Sequence, residues 1–141
     1  MAPNPTLFLV ERWQSPINEG GEEHLTKAST AITKGRLLSV DSNGYVVHAS
    51  TGDRVLGVAL ESKSSSLATT TPIAIDYIKR GDKFRVQTTG AASQTKVGEE
   101  CDIDNSTGKI DLTASTNDDV AVFNILGTGT NDTIVTFLKT Y

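Results

Sequence analysis

An internal duplication constrains the fold of this 141-residue chain more than any other feature of the sequence. The seven residues at 49–55 (ASTGDRV) recur at 114–120 (ASTNDDV), and five of the seven positions are identical. Upstream, an apolar-Asp pair and a turn ending in Gly44 match a similar pair and a turn ending in Gly108. Downstream, residues 75–79 (IDYIK) match 135–139 (VTFLK). Two copies are too few for a solenoid, so we expect one domain of two related halves, about 34–80 and 97–141.

Glycines mark corresponding places in the repeated pattern. The motif Gly-x-x-apolar-x-apolar occurs three times, and both hairpin turns of the duplication also end in glycine. Because glycine adopts positive φ without steric cost, these positions suit tight turns between strands. The predicted structural turns are therefore at Gly35, Gly44, Gly81, Gly98 and Gly108.

Short apolar segments separated by Gly, Asn, Asp and Ser predict strands rather than helices. The chain also contains 19 Thr and 12 Ser, and Thr suits pleated sheets while Ser favours turns. The fold class is therefore predicted to be all-β, a small β-barrel or sandwich built from two related halves. The candidate strands are 36–40, 45–49, 54–60, 72–79, 83–87, 100–103, 109–112, 120–126 and 133–139.

The two halves are expected to pack face to face through matching sides of their strands. The predicted facing sets are Leu38, Val40, Tyr45, Val47, Leu56, Val58 and Leu60 from the first half, with Cys101, Ile103, Ile110, Leu112, Val120 and Val122 from the second.

Residues 1–33 have a different character and are predicted to form an extended N-terminal arm. They contain three of the four prolines and the single Trp, with no sustained helical or alternating pattern. A short strand is expected at 7–13. Aromatic and aliphatic anchors dominate the energetics of interfaces. The predicted partner-binding residues are therefore Leu7, Phe8, Leu9, Val10 and Trp13. The alternative is an edge strand that packs on the chain's own barrel.

Charge and composition exclude several functions. A formal net charge of −4 disfavours binding to phosphate backbones, so we expect no direct nucleic-acid partner. The apolar run at 7–10 is too short to span a bilayer, so no membrane association is expected. One Cys and two His at no ligand spacing predict no metal site, and no arrangement of Ser, His and Asp indicates catalysis. We expect no cofactor and no enzymatic activity.

Two further motifs favour turns over function. Residues 102–108 begin like a calcium loop but lack its glycine and its terminal glutamate at the required positions, so a hairpin is expected. The tripeptide Arg80-Gly81-Asp82 spells a cell-adhesion motif, yet it falls on the repeated glycine element, which a turn explains.

Residues 34–47 (KGRLLSVDSNGYVV) followed by 55–60 (VLGVAL) resemble the first half of the capsid cement, or head decoration, proteins of tailed bacteriophages. The resemblance extends over about residues 34–139. It departs from the family pattern at 122–127 (VFNILG), which stands in place of a second Gly-Val-Ala-Leu, and it does not include the first thirty residues. The resemblance implies a β-rich domain on the outer capsid surface of the virion that reinforces contacts between major capsid protein subunits. It also implies a homo-oligomer, with a trimer favoured, made in the cytoplasm of the host bacterium.

Two alternatives belong to other functional classes. A host-surface or glycan-binding β domain displayed on the virion would share this composition, but it would need exposed aromatic rings, and the chain has only eight aromatic residues. A small trimeric nucleotide hydrolase would need a phosphate-cradling loop and a set of metal-binding carboxylates, and the sequence contains neither.

Overall fold

The structure, a computed structural model, describes residues 10–13, 19–20, 24–66 and 70–141. Apart from one short 3₁₀ helix, Gln94–Lys96, the regular elements in these ranges are strands. The strands are β1 (Val10–Arg12), β2 (Glu19–Gly20), β3 (Leu37–Val40), β4 (Val46–His48), β5 (Gly57–Ala59), β6 (Ile75–Tyr77), β7 (Lys83–Gln87), β8 (Glu100–Ile103), β9 (Ile110–Asp111), β10 (Val120–Ile125) and β11 (Asp132–Phe137). The all-β prediction is confirmed, and each of the nine predicted segments overlaps one of β3 to β11.

The strands form two antiparallel sheets that repeat the same topology. The N-terminal sheet has the order β2-β6-β5-β3-β4, and the C-terminal sheet has the order β1-β7-β11-β10-β8-β9. In both sheets a hairpin, β3-β4 or β8-β9, lies at one edge. The next two strands of the chain, β5 and β6 or β10 and β11, then add one after the other beside β3 or β8. The duplication seen in the sequence is therefore a duplication of strand order.

The strand register corrects one detail of the repeat. Leu37 pairs with Val58 in the first half, and Glu100 pairs with Ala121 at the corresponding place in the second half. The residues just before Val58 and Ala121, which are Gly57 and Val120, therefore correspond. Val55 is thus not the counterpart of Val120. The near-identical loops at 49–55 and 114–120 therefore do not superpose on the ladder. The two loops also bind different partners: the amides of residues 116–118 donate to Asp102, whereas those of 51 and 52 donate to Asn105 and Asp119.

The repeated unit begins before residue 34. In the first half, the chain after β2 returns to the opposite edge of its sheet, where Thr26 makes a parallel bridge with Val46. In the second half, the chain after β7 does the same, and Thr88 makes a parallel bridge with Ile110. Each bridge joins the chain that follows β2 or β7 to the edge strand β4 or β9 of the same sheet. Residues 24–33 thus cover the edge of β4, and Ile32 is 2% exposed in the core.

The prediction of an arm over 1–33 is corrected for its described residues. β1 is an antiparallel edge strand on β7, β2 pairs with β6, and residues 24–33 lie along β4. These segments follow the sheets because they satisfy backbone groups that a sheet edge would otherwise leave unpaired. Residues 1–9, 14–18 and 21–23 lie outside the described ranges.

Two hydrophobic cores show that the halves pack head to tail. The smaller core lies inside the N-terminal sheet and contains Ile32, Leu38, Val46, Leu56, Ala59, Ile73 and Ile75. The larger core contains the inner face of the C-terminal sheet, with Leu37, Ala49, Val55, Val58 and Ile78 of the first half packed into it. The predicted face-to-face pairing of Leu38, Val40 and Leu56 with the second half is therefore wrong, since those residues belong to the smaller core.

Consecutive apolar residues explain this arrangement. Leu37 and Leu38 are neighbours on β3, so their side chains leave opposite faces of the sheet. Leu37 enters the larger core and Leu38 the smaller one, and both are essentially inaccessible to solvent. The three residues of β5 are also all buried. A sheet that is apolar on both faces needs a covering layer on each side, and the second half supplies one of them.

Gly57 is expected to tolerate no side chain. A Cβ atom there would lie 2.4 Å from the backbone oxygen of Asp76 and 2.5 Å from Cγ2 of Ile75. We predict that Gly57→Ala lowers the free energy of unfolding by roughly 1–3 kcal/mol, because the strand pair must separate. Gly90→Ala is the matched control, since nothing lies within 4 Å of its added methyl group. The midpoint of urea denaturation measures the stability of both variants, and equal midpoints would contradict the packing argument.

His48 should make stability depend on pH. Its Nε2 accepts a hydrogen bond from the Thr33 amide at 2.9 Å, and burial together with the charge of Arg36 lowers the pKa of His48 below its usual 6.5. The stabilisation is therefore complete above about pH 6.5, and it is lost as the pH falls through that value toward the folded-state pKa.

We predict that His48→Gln, which keeps an acceptor for Thr33, flattens the pH dependence of the unfolding free energy in the range just below about pH 6.5. His24→Gln serves as the control and should retain the slope that His48 contributes. Identical pH profiles for wild type and His48→Gln would contradict this role.

Candidate functional site

Arg12 is a buried cation at the junction between the two sheets. It lies on β1 opposite Phe84, and its guanidinium carbon is 4.9 Å from the centre of that ring. Its side chain is 5% exposed and reaches across to the N-terminal sheet, where Nη2 lies 2.8 Å from Oδ1 of Asp76. Nη1 lies 2.7 Å from Oδ2 of Asp82, and Nη2 also donates to the Tyr77 carbonyl. Because Arg12 on the C-terminal sheet pairs with Asp76 on the N-terminal sheet, this charged cluster joins the two sheets.

Asp119 is a second buried charge at the same junction. Its side chain is inaccessible to solvent, and it accepts hydrogen bonds from Gly52 N at 2.8 Å, Thr51 Oγ1 at 3.0 Å and Ile103 N at 2.9 Å. Two of the donors belong to the first half and one to the second. Lys139 Nζ lies 3.8 Å from the carboxylate and donates to the Asn117 carbonyl. The two copies of the duplicated loop therefore meet around one carboxylate.

Asp102 and Asp104 organise the loops of the second half. The Asp102 carboxylate accepts three backbone hydrogen bonds, from the amides of Thr116, Asn117 and Asp118, at 2.8 to 3.0 Å. Asp104 binds the hydroxyl groups of Ser106 and Thr107 within its own turn. These carboxylates are bound by the chain itself, as expected for a hairpin rather than for a calcium loop. Among the described residues, no group of three or more His, Cys, Asp or Glu could hold a metal ion.

Two of the five predicted partner-binding residues lie in the described part of the chain. Val10 is 5% exposed and packs in the larger core, so its side chain faces the chain's own interior. Trp13 is partly buried, and its amide donates to the Lys83 carbonyl at 2.8 Å. This is the geometry of the edge-strand alternative. Leu7, Phe8 and Leu9 lie outside the described residues.

The five predicted turn glycines share one backbone conformation. Gly35, Gly44, Gly81, Gly98 and Gly108 all have φ between 74° and 91°. Gly108 has a second constraint, because an added Cβ would lie 2.1 Å from Nε of Arg36 in the other half. The second hairpin therefore presses against the first half at a glycine.

The acidic residue of the Arg-Gly-Asp tripeptide, the single cysteine and His24 all contact other groups of the chain or are buried in it. Asp82 of the Arg-Gly-Asp tripeptide accepts hydrogen bonds from Arg12 and from the Lys79 amide, which is what a structural turn requires. Cys101 is 1% exposed, and burial raises the pKa of its thiol to about 11. His24 Nδ1 lies 2.6 Å from the Tyr77 hydroxyl.

Two solvent-facing features of the second half remain. An open recess of about 510 Å³ lies beside the 3₁₀ helix, and its lining includes Lys96, Glu99, Glu100, Thr113 and Asp118. Lys96 Nζ lies 3.2 Å from Oε2 of Glu99, so these two side chains form an ion pair. The second feature is the outer face of the C-terminal sheet, where Phe123 is 49% and Leu138 44% exposed.

Sequence reasoning missed Arg12 and Asp119. No motif in the sequence assigns a role to either residue. A signal existed for Asp119, since it is a second acidic residue where the first copy of the loop has Arg54. For Arg12 no local signal existed, because its partners lie 64 and 70 residues away.

Comparisons with models of known families and with curated proteins give no match to this chain. In the ranges that the structure describes, no helix has the length and apolar character needed to cross a bilayer.

Asp119 should be essential for stability. We predict that Asp119→Asn lowers the unfolding free energy by about 2–4 kcal/mol, because the amide group must face a backbone N–H and leaves Lys139 without its carboxylate. Asp53→Asn is the matched control, since Asp53 accepts one amide hydrogen bond that an Asn oxygen can also accept. Chemical denaturation tests this, and equal losses in the two variants would contradict the role of Asp119 at the junction.

Proposed function

We propose that this chain is a structural capsid decoration protein that binds the outer surface of a tailed-phage head and stabilises contacts between major capsid protein subunits. The proposal rests on the positions in the fold of the residues that resemble the capsid cement family. Residues 34–47 and 55–60 contribute β3, β4 and β5, and the same strand order recurs as β8, β9 and β10. A duplicated β unit is what the resemblance implies.

Reinforcing a shell requires binding and no chemistry. A protein that binds only the assembled shell stabilises it by mass action, and the effect grows with its concentration relative to the dissociation constant. Contact with several subunits at once multiplies the affinity through effective concentration. A homo-oligomer, for which we propose a trimer, would offer several copies of one binding face.

The internal bonding of this chain suits such a role. Arg12 and Asp119 tie the two halves together through buried contacts, so the domain can transmit load between neighbouring subunits without coming apart at its own junction. The proposed location is the outer capsid surface of the virion.

The test uses heads of the phage that encodes the chain, prepared with and without the protein. We expect the purified protein to bind expanded heads at a fixed ratio to the major capsid protein and to raise the temperature at which they burst. Heads incubated with an unrelated protein of similar size are the control. No binding, or equal resistance to heat and chelation with and without the protein, would overturn the proposal. Light scattering of the free protein tests the trimer separately.

A further inference from the structure

One row of paired residues crosses the outer side of the C-terminal sheet. Lys83 pairs with Thr136, Thr136 with Ala121, and Ala121 with Glu100. Directly paired residues share a face of a sheet, so these four side chains point the same way. Lys83 Nζ lies 4.3 Å from the centre of the Phe123 ring, which puts that ring on the same side. We call this surface the free face, and its members are Lys83, Glu100, Ala121, Phe123, Thr136 and Leu138.

The duplication gives each strand position of the free face a counterpart in the first half. By strand pairing, Leu37 corresponds to Glu100, Val58 to Ala121 and Asp76 to Thr136. Ile78 likewise corresponds to Leu138, because the amide of each donates to the residue just before its neighbouring strand. These four counterparts are at most 5% exposed, since they form the surface that packs into the second half.

The same face of the repeat is therefore a buried interface in one half and partly exposed in the other. Leu138 is 44% exposed where its counterpart Ile78 is 5% exposed. Phe123 is 49% exposed and lies at the register shift between Val122 and Asn124, a β-bulge that alters the direction of side chains. A half-exposed aromatic ring and an exposed leucine on one sheet face are the composition of an interface rather than of an ordinary solvated surface.

The interior packing decides what can cover this face. In the intramolecular interface, the outer face of one half is covered by the inner face of the next. Both inner faces of this chain are already filled, one by the other half and one by residues such as Ile32 and Ile73. Within the described residues, a second copy thus offers no vacant inner face, which favours a different protein as the occupant.

We propose that the free face docks on the major capsid protein of the shell, an inference that rests on the proposed function. The complementary surface would present an aliphatic recess for Phe123 and Leu138, with a hydrogen-bond acceptor opposite Lys83 and a donor opposite Glu100. The charges at the two ends of the row set the orientation of docking, because reversing it would bring like charges together.

The test measures binding of wild type and variants to expanded heads that lack the protein. We expect Leu138→Ser and Phe123→Ser each to weaken binding at least about tenfold, as the loss of a central anchor does. Leu25→Ser is the matched control, because Leu25 is 40% exposed on the other half, and it should bind like wild type. Lys83→Glu, which removes no buried apolar group, should also weaken binding and serves if a serine variant fails to fold. Urea midpoints verify that each variant is folded.

The possible outcomes separate the two proposals. If Leu138→Ser, Phe123→Ser and Lys83→Glu all bind heads with the affinity of the wild type, the docking face is overturned and the proposed function is unaffected. Loss of the oligomer in the face variants, with shell binding per subunit retained, assigns the face to a second copy and also overturns the inference. Failure of the wild-type protein to bind heads overturns the proposed function and the docking face together.

Discussion

The N-terminal sheet has apolar side chains on both of its faces, and the rest of the structure follows from the need to cover both. Leu38 and its neighbours are covered by the chain's own returning segments, including Ile32, and Leu37, Val58 and Ile78 are covered by the second half. The halves are therefore stacked in sequence, like two units of a short array, instead of being related by a symmetric face-to-face contact. Burial of apolar surface supplies the driving force, but it does not by itself select one relative orientation.

Buried charges select that orientation. Arg12 crosses from one sheet to Asp76 on the other, and Asp119 binds the amides of Gly52 and Ile103 from opposite halves. A buried ion that loses its partners costs several kcal/mol, so any other docking of the halves would be heavily penalised. The acidic residues that resemble a calcium loop or an adhesion motif in the sequence are bound by the chain's own amides and by Arg12.

Head-to-tail stacking has a consequence that symmetric packing would lack. In a symmetric pair, each half would cover the same face of its partner. The faces left exposed on the two halves would then be equivalent. Stacking leaves the ends different: the first half is closed by its own loops, while the second half keeps an outer face with Phe123 and Leu138 exposed. For a protein proposed to strengthen a shell by binding alone, a face that exposes an aromatic ring and a leucine is our candidate for the contact.

Much of the fold was predictable from the residues alone. Alternating apolar segments and turn glycines located all nine strands from β3 to β11, and the repeat predicted that the two halves share one topology, because these signals arise from local backbone preferences. The faces that meet, the inclusion of β1, β2 and residues 24–33 in the sheets, and the partners of Arg12 and Asp119 were decided only in three dimensions. Those features depend on residues far apart in the chain competing for the same surface, and no local pattern records which of two apolar faces of a strand will meet which neighbour.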